Sequence, residues 1–189
     1  MRVVIPTYLP TKGGEMGSPR GYLKYYFLED YLFGEVNKNF KKRGCLTPEE
    51  FFCIIIWKSN RAKTAIKRKL LKFGNLRKTI KKLTGEIFYT LGKEQKLRLL
   101  LKSWKFSLPM ATAVLTVLYP KEFTIYDVRV REQVGIHKDF ASCKDQIERY
   151  FDDFLPKVRK IVRDKDLRDK DRYLWGKSFY EDLLKFLKN

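Results

Sequence analysis

The chain has 189 residues, 44% of them hydrophobic and 15% aromatic, with 41 Lys and Arg against 22 Asp and Glu. That much apolar side chain suits one ordinary domain, or two small lobes sharing a core, and excludes disorder as an account of the whole. The formal net charge of +19 points to a polyanionic partner, because the extra lysines of a thermophilic protein come with matching acids and these do not.

In chain order, residues 1–20 are rich in Pro and Gly and read as an extended N-terminal arm. "MRVVIPTYLPTKGGEMG" lacks the apolar stretch and small-residue cleavage site of a secretory signal. From Gly21 onward the pattern is helical, with "YLKYYFLEDYLFGEV" repeating apolar and aromatic residues at steps of three and four. "LTPEEFFCIIIW" opens with Thr47 as a cap, Pro48 in the first turn and Glu50 completing a capping box, so a buried helix is expected despite the strand-like Ile54-Ile55-Ile56. "RAKTAIKRKLLKFGN" reads as a basic amphipathic helix ending at Gly74, and "LRKTIKKL" and "KEQKLRLLLKSW" follow in the same style. Residues 41–105 hold 19 basic and 4 acidic residues, against 13 and 11 from 139 to the end, so one segment carries most of the excess charge.

Ser107 is placed to cap a helix whose second residue is Pro109, tolerated there because a first-turn amide has no helical partner. "MATAVLTVLY" is apolar nearly all round and belongs at the centre of the molecule. After Pro120, "KEFTIYD" is the one convincing internal extended piece, and Asp127 stands where a new helix, "VRVREQVG", begins. As an N-cap it would accept backbone amides, an effect of roughly 1 kcal/mol. "KDQIERYFDDFLPKVRKIV" and "DKDRYLWGKSFYEDLLKFL" are again helical. The fold class expected is all-α, with short irregular connections.

No run of roughly eighteen apolar residues exists to cross a membrane. The expected protein is soluble, cytoplasmic and nucleoid-associated, a monomer with no membrane partner. Cys45, Cys53 and Cys143 form no CxxC pair, and with the single His137 they make neither a zinc nor an iron–sulfur set. No metal and no cofactor is expected. An acidic magnesium site stays open, although no paired acid pattern stands out before the C-terminal region.

An apolar central helix, a proline-ended extended piece and an Asp opening the next helix together resemble the helix-hairpin-helix DNA glycosylase superfamily, the endonuclease III-like repair enzymes. Their pattern reads roughly "LPGVGxKTA…VDTHVxR". With Ala111 on the alanine of "KTA", Asp127 falls on the aspartate of "VDTH" without a gap, and "YDVRVRE" stands for "VDTHVxR". "FFCIIIWKSNRA" is similar to the helix before the damaged-base pocket, with Trp57 to Arg61 at its pocket end. "WKSNR", "PMATAVL", "PKEFTIYDVR" and "LRDKDRYLW" also resemble an uncharacterised bacterial group. The likeness covers about residues 47 to 176.

The resemblance implies two lobes with a cleft between them, residues 47–135 forming the glycosylase-like core and 21–46 plus 136–189 the second lobe of one domain over 21–189. It implies double-stranded DNA, damaged or mismatched, as partner. Asp127 would be the catalytic residue and Trp57 and Tyr126 the base pocket, with Trp104 a further aromatic candidate. Lys58, Asn60 and Arg61 would enter a groove, while Lys105, Ser107 and Arg129 would contact the strand. For Trp57 and Trp104, packing in the core is the competing account.

The chain departs from the family at two places. Pro109 stands where the lyase enzymes carry the lysine that attacks the sugar, and Lys105-Phe106-Ser107 replaces the hairpin glycines. Without those glycines the backbone turns and approaches less freely, although charge and free N–H groups at a helix start still suit a phosphate. A monofunctional glycosylase in base excision repair is therefore one expectation. A non-catalytic DNA-binding protein, with Asp127 a structural cap, is the other. An RNA-binding factor fits the charge alone, without RNP, KH or OB features. In the late "LRDKDRYLWGKS", Arg168, Asp169 and Asp171 would either order the pocket, pair with Arg129, or form a surface network beside a packed Trp175.

Overall fold

A computed structural model of the chain describes residues 19–138, 140 and 146–188. The arm expected over 1–20 lies outside them, except that Pro19 and Arg20 already belong to the first helix. Cys143 lies outside them too. Every regular element among the described residues is a helix, as the periodicity predicts. None of these helices is long and apolar enough to cross a membrane.

Helices α1 (Pro19–Tyr26), α2 (Leu28–Tyr31) and α3 (Asn37–Arg43) follow one another closely, with a π-helical turn at Leu32–Val36. Helix α4 (Pro48–Ser59) starts with the capping box legible in the sequence. Thr47 Oγ1 accepts from the Glu50 N–H at 3.3 Å, and the Glu50 carboxylate accepts from the Thr47 N–H at 2.9 Å. The same carboxylate is buried and also accepts from Asn39 Nδ2 at 2.9 Å and from Arg43. One glutamate thereby satisfies a helix start and ties α3 to α4. Gly44, between them, has φ of +71°, a conformation that costs a non-glycine residue, and a Cβ there would stand 3.2 Å from the Phe88 ring.

A 3₁₀ turn at Asn60–Ala62 leads into α5 (Lys63–Leu71), and α6 (Leu76–Tyr89) follows with Asn75 as its cap. Helix α7 (Lys93–Arg98) runs on through a π-helical turn at Leu99–Ser103. Lys96, buried, turns its Nζ to the carbonyl oxygens of Ile87, at 2.9 Å, and of Thr90, so a lysine stem fills the core while its charge caps the end of α6.

Helix α8 (Leu108–Leu118) is the centre of the molecule, with Met110 to Leu118 buried without a break. Asn37 Nδ2 donates to the last carbonyls, Val117 O at 2.6 Å and Leu118 O at 3.0 Å, before the chain turns at Pro120. Ser107 does not cap α8 with its side chain. Its carbonyl accepts from Met110 and Ala111 instead, at 3.1 and 2.8 Å, and its residue is exposed. Pro109 already removes one first-turn donor, which lessens the need for a hydroxyl cap.

The piece expected to be extended after Pro120 instead begins in a turn through Lys121 and Glu122 and runs on from Phe123 to Asp127 as irregular chain, pairing with no strand among the described residues. Phe123 to Tyr126 are all buried, so their backbone groups must find partners elsewhere. The Tyr150 hydroxyl accepts from Thr124 N at 3.0 Å and donates to Thr124 O at 2.7 Å, while Thr112 Oγ1 accepts from Tyr126 N at 3.0 Å. Two side chains thus do what a neighbouring strand would do. Beyond lie α9 (Val128–Gln133), α10 (Gln146–Arg149), a π-helical turn at Tyr150–Phe154, α11 (Leu155–Lys160) and the long α12 (Leu167–Lys188).

Candidate functional site

The chain makes a tight turn at Tyr126, where the Asp127 N–H donates to the Ile125 carbonyl at 2.9 Å, and the residues on either side of that turn part company with it. Ile125 and Asp127 face a cavity of about 410 Å³. Tyr126 points the other way: its ring is buried, 4.9 Å from that of Phe140 and 5.0 Å from that of Phe154. Tyr126 is a core residue, and the expectation that it forms a base pocket is corrected. Trp104 is likewise core, packed 5.1 Å from the Phe73 ring, with its Nε1 donating to Glu86 at 2.8 Å.

Four parts of the chain meet around the cavity. Helix α2 supplies Glu29, the last turn of α4 supplies Trp57 and Lys58, the irregular stretch before α9 supplies Ile125 and Asp127, and α12 supplies Arg168, Asp171, Arg172 and Trp175. Trp57 is held edge-on by Phe33 at 5.6 Å, and the Arg168 guanidinium lies 5.1 Å from the centre of its indole. Trp175 stacks on Phe179 at 5.7 Å with the rings 5° from parallel, and Arg129 lies over it at 5.6 Å. Two indoles on separate helices are flat apolar walls of the kind that hold a planar ligand.

Asp127 is both a cap and a cavity wall. Its Oδ1 accepts from the Arg129 N–H at 3.0 Å, closing the start of α9, and its Oδ2 is ion-paired with Lys58 Nζ. The two side chains keep 20% and 15% of their surface, so the pair is largely shielded without being sealed from entering solvent. Lys58 therefore turns into the cavity rather than outward with its neighbours, which corrects its expected place in a groove-entering turn. Asn60 and Arg61 are exposed on the 3₁₀ turn beyond it, where Asn60 Oδ1 accepts from Lys63 Nζ at 2.7 Å.

Elsewhere in the lining, Arg168 donates through Nε and Nη2 to Glu29 Oε1, at 2.9 and 2.6 Å, and through Nη1 to Asp171. Arg172 adds contacts to the same Glu29 oxygen, at 3.0 and 2.9 Å, and pairs with Asp169 at 2.9 Å. Burial by itself pushes the Glu29 carboxyl up, but Arg168 and Arg172 together hold it below its usual range. For Asp171, only 2% exposed, the balance is reversed. Burial pushes it up, nearby Asp127 adds to the rise, Arg168 and Lys58 pull it back only in part, and the balance stands at about 6. The cavity thus contains two unlike carboxyls, one paired with Lys58 and the other paired with Arg168 but, through burial, taking up a proton at higher pH than an ordinary aspartate.

Arg129 does not join the Arg168–Asp171 network. It pairs with Asp182 at 2.5 Å and lies against Trp175 and Phe179. Trp175 itself, expected as a packed residue in a surface network, is 45% exposed and lines the cavity. Lys105 and Ser107 lie away from this lining, both exposed. Lys105 holds a positive φ of 54°, and its carbonyl accepts from Lys69 Nζ at 2.5 Å. Sequence reasoning missed Glu29, Arg172 and Trp175 as wall residues. One pattern pointed to the last two: positions 168, 171, 172 and 175 follow i, i+3, i+4, i+7 and share one face of a helix. Glu29 had no such local signal.

No family model matches the chain, and neither a curated protein nor a solved structure matches it. Among the described residues no cluster of His, Cys, Asp and Glu is arranged to hold a metal ion.

Proposed function

We propose that this protein binds DNA and admits an unstacked base into the cavity between Trp57 and Trp175, with Asp127 assisting cleavage of the N-glycosidic bond. The supporting observation is the position of Asp127. A carboxylate fixed by its own helix start opens onto a cavity with two indole walls, within the range of about 300–1,000 Å³ typical of small-molecule sites. The helix-hairpin-helix glycosylase arrangement, with two lobes and a cleft, belongs to this proposal, as do the DNA partner and the monomeric, nucleoid-associated state.

The chemistry follows from the charges. Breaking the bond leaves positive charge on the sugar, as in glycoside hydrolysis, and a nearby carboxylate stabilises it. Water then adds to the sugar carbon and loses a proton, giving an abasic site and the free base. The base must leave the stack, at a cost of a few kcal/mol that is least when it is damaged or mismatched. Basic residues 41–105 supply the backbone attraction.

The test is base release from duplexes carrying uracil, 8-oxoguanine, alkylated purines or mismatches, each read with and without alkali. Product seen only after alkali supports the reading and names the substrate. No product from any duplex, with salt-sensitive binding retained, overturns the catalytic part. That result is what the second reading expects, and one observation favours it: Asp127 is already satisfied structurally, by the Arg129 N–H and the Lys58 ammonium.

A further inference from the structure

A second recess, of about 390 Å³, lies where the end of α3 and the following turn meet α6. Its charge differs in kind from that of the Asp127 cavity. There, three carboxylates (Glu29, Asp127, Asp171) face three cations (Lys58, Arg168, Arg172). The second recess is lined by four cations, Arg43, Lys78, Lys81 and Lys82, and by no acid.

Lys78, Lys81 and Lys82 occupy i, i+3 and i+4 of α6, so like charges stand beside one another on one face, an arrangement that destabilises an isolated helix. Compensation within the described residues is slight. Lys82 reaches Glu86 only at 3.9 Å across an exposed surface, and Arg43 is paired with Glu50 but keeps 40% of its side-chain surface open. At Gly85, a Cβ would stand 4.0 Å from the Gly44 carbonyl, so helix and turn approach closely at the floor of the recess. At its rim Tyr89 is 78% exposed.

We infer that this recess is a second nucleic-acid contact, binding the backbone phosphates of an unpaired strand while Tyr89 offers its ring to one of the bases. The inference rests on the nucleic-acid reading of the preceding subsection and extends it to a surface outside the Asp127 cavity. Cations lining a concavity neutralise phosphates and release counterions, and an exposed aromatic ring stacks any unpaired base whatever its sequence. A lipid surface is a poorer match, because the lysines line a recess rather than crown a convex face. The two sites stand near opposite ends of α4: Cys45 just before its start lines one, Trp57 and Lys58 at its end line the other. Ten residues of helix separate Pro48 from Lys58, on the order of 15 Å. A strand leaving a base in the first site is thus within reach of the second.

The experiment is anisotropy titration of a labelled single-stranded oligonucleotide, and of its duplex, against the full chain at several salt concentrations. Lys78→Glu/Lys81→Glu is compared with Lys185→Glu/Lys188→Glu, an equal charge change at the end of α12. The first pair should weaken single-strand binding at least about tenfold and reduce the salt slope by about 1.4, two phosphate contacts at roughly 0.7 each. The control should change affinity less than about twofold, and Tyr89→Ala should lower single-strand affinity by about fivefold or more with duplex affinity unchanged. Equal losses in the two charge variants, or none in the first, overturn the site. Inorganic phosphate or ATP displacing the strand at low concentration would also overturn it, in favour of a free-phosphate pocket. Failure of the wild type to bind any oligonucleotide removes the nucleic-acid reading as well. Absent base release with cleft-dependent binding intact removes only the glycosylase reading.

Discussion

Lys58 and Asp127, sixty-nine residues apart, form an ion pair at the mouth of one cavity. The lysine comes from the last turn of α4 and the aspartate from the cap just before α9, so the contact joins two helices that share no sequence signal. It also gives Asp127 two partners of different purpose. The Arg129 N–H needs only an oxygen acceptor, whereas the Lys58 ammonium needs a negative charge.

Substitution at Asp127 separates those roles. Asn keeps an acceptor for the Arg129 amide, so Asp127→Asn should fold with stability within about 1–2 kcal/mol of wild type, while any base release falls at least about a hundredfold. Asp127→Ala removes the cap as well and leaves the largely shielded Lys58 ammonium with no oxygen acceptor from this position, which should lower stability by about 2–4 kcal/mol. Chemical denaturation and a base-release assay on the same preparations check both. Equal base release by the Asn variant would remove Asp127 from the mechanism.

Trp175 and Trp104 should divide by role. Trp175 is 45% exposed, so Trp175→Ala should change stability by less than about 1 kcal/mol yet weaken binding of a strand with an extruded base. Trp104 is 4% exposed and donates to Glu86, so Trp104→Ala should cost about 3–5 kcal/mol and act on binding only through unfolding. Denaturant midpoints and oligonucleotide affinities measured together would expose a failure of this division, most clearly a large stability loss at Trp175.

Asp171 gives a pH signature with a definite sign. Its folded pKa, about 6, lies above the unfolded value of about 3.9. The folded chain therefore binds this proton more tightly, and the stability it contributes is full below the unfolded value and lost as pH rises through about 6. Asp171→Asn removes that contribution. Stability of the wild type minus that of the variant should fall by roughly 2 kcal/mol between about pH 4 and 7. The depressed Glu29 carboxyl acts in the opposite direction, but it is present in both chains. A difference flat across that range would show that Arg168 keeps Asp171 ionised.

Glu50 is a structural counterpart. It accepts from Thr47 N, Asn39 Nδ2 and Arg43 while 4% exposed. Glu50→Ala strands those donors and should lower stability by about 2–4 kcal/mol, well beyond the roughly 1 kcal/mol expected for Thr47→Ala, which removes one capping bond. Similar effects of the two substitutions, measured by urea titration, would mean that water replaces the glutamate without penalty.

Local patterns determined the helices. Thr47, Pro48 and Glu50 state the start of α4 in four residues, the apolar run after Pro109 states a central helix, and Asp127 before "VRVREQ" states a cap. Each is settled by neighbours within a turn or two, through backbone amides and side-chain spacing, and sequence displays such neighbours directly. The direction of Tyr126 was not among them: it is set by a tight turn in which the Asp127 N–H donates to the Ile125 carbonyl.

Which faces meet was decided by tertiary packing alone. Glu29 reaches Arg168 across 139 residues of chain, Lys58 reaches Asp127 across 69, and Arg129 pairs with Asp182 rather than with the nearer Arg168–Asp171 group in sequence. An ion pair depends on distance and desolvation, and neither is written in the spacing of residues on separate helices. The chain announces its helices, its basic excess and a carboxylate at a helix start. Only the burial of α8 and the docking of α12 convert that carboxylate into one wall of a charged, indole-lined cavity.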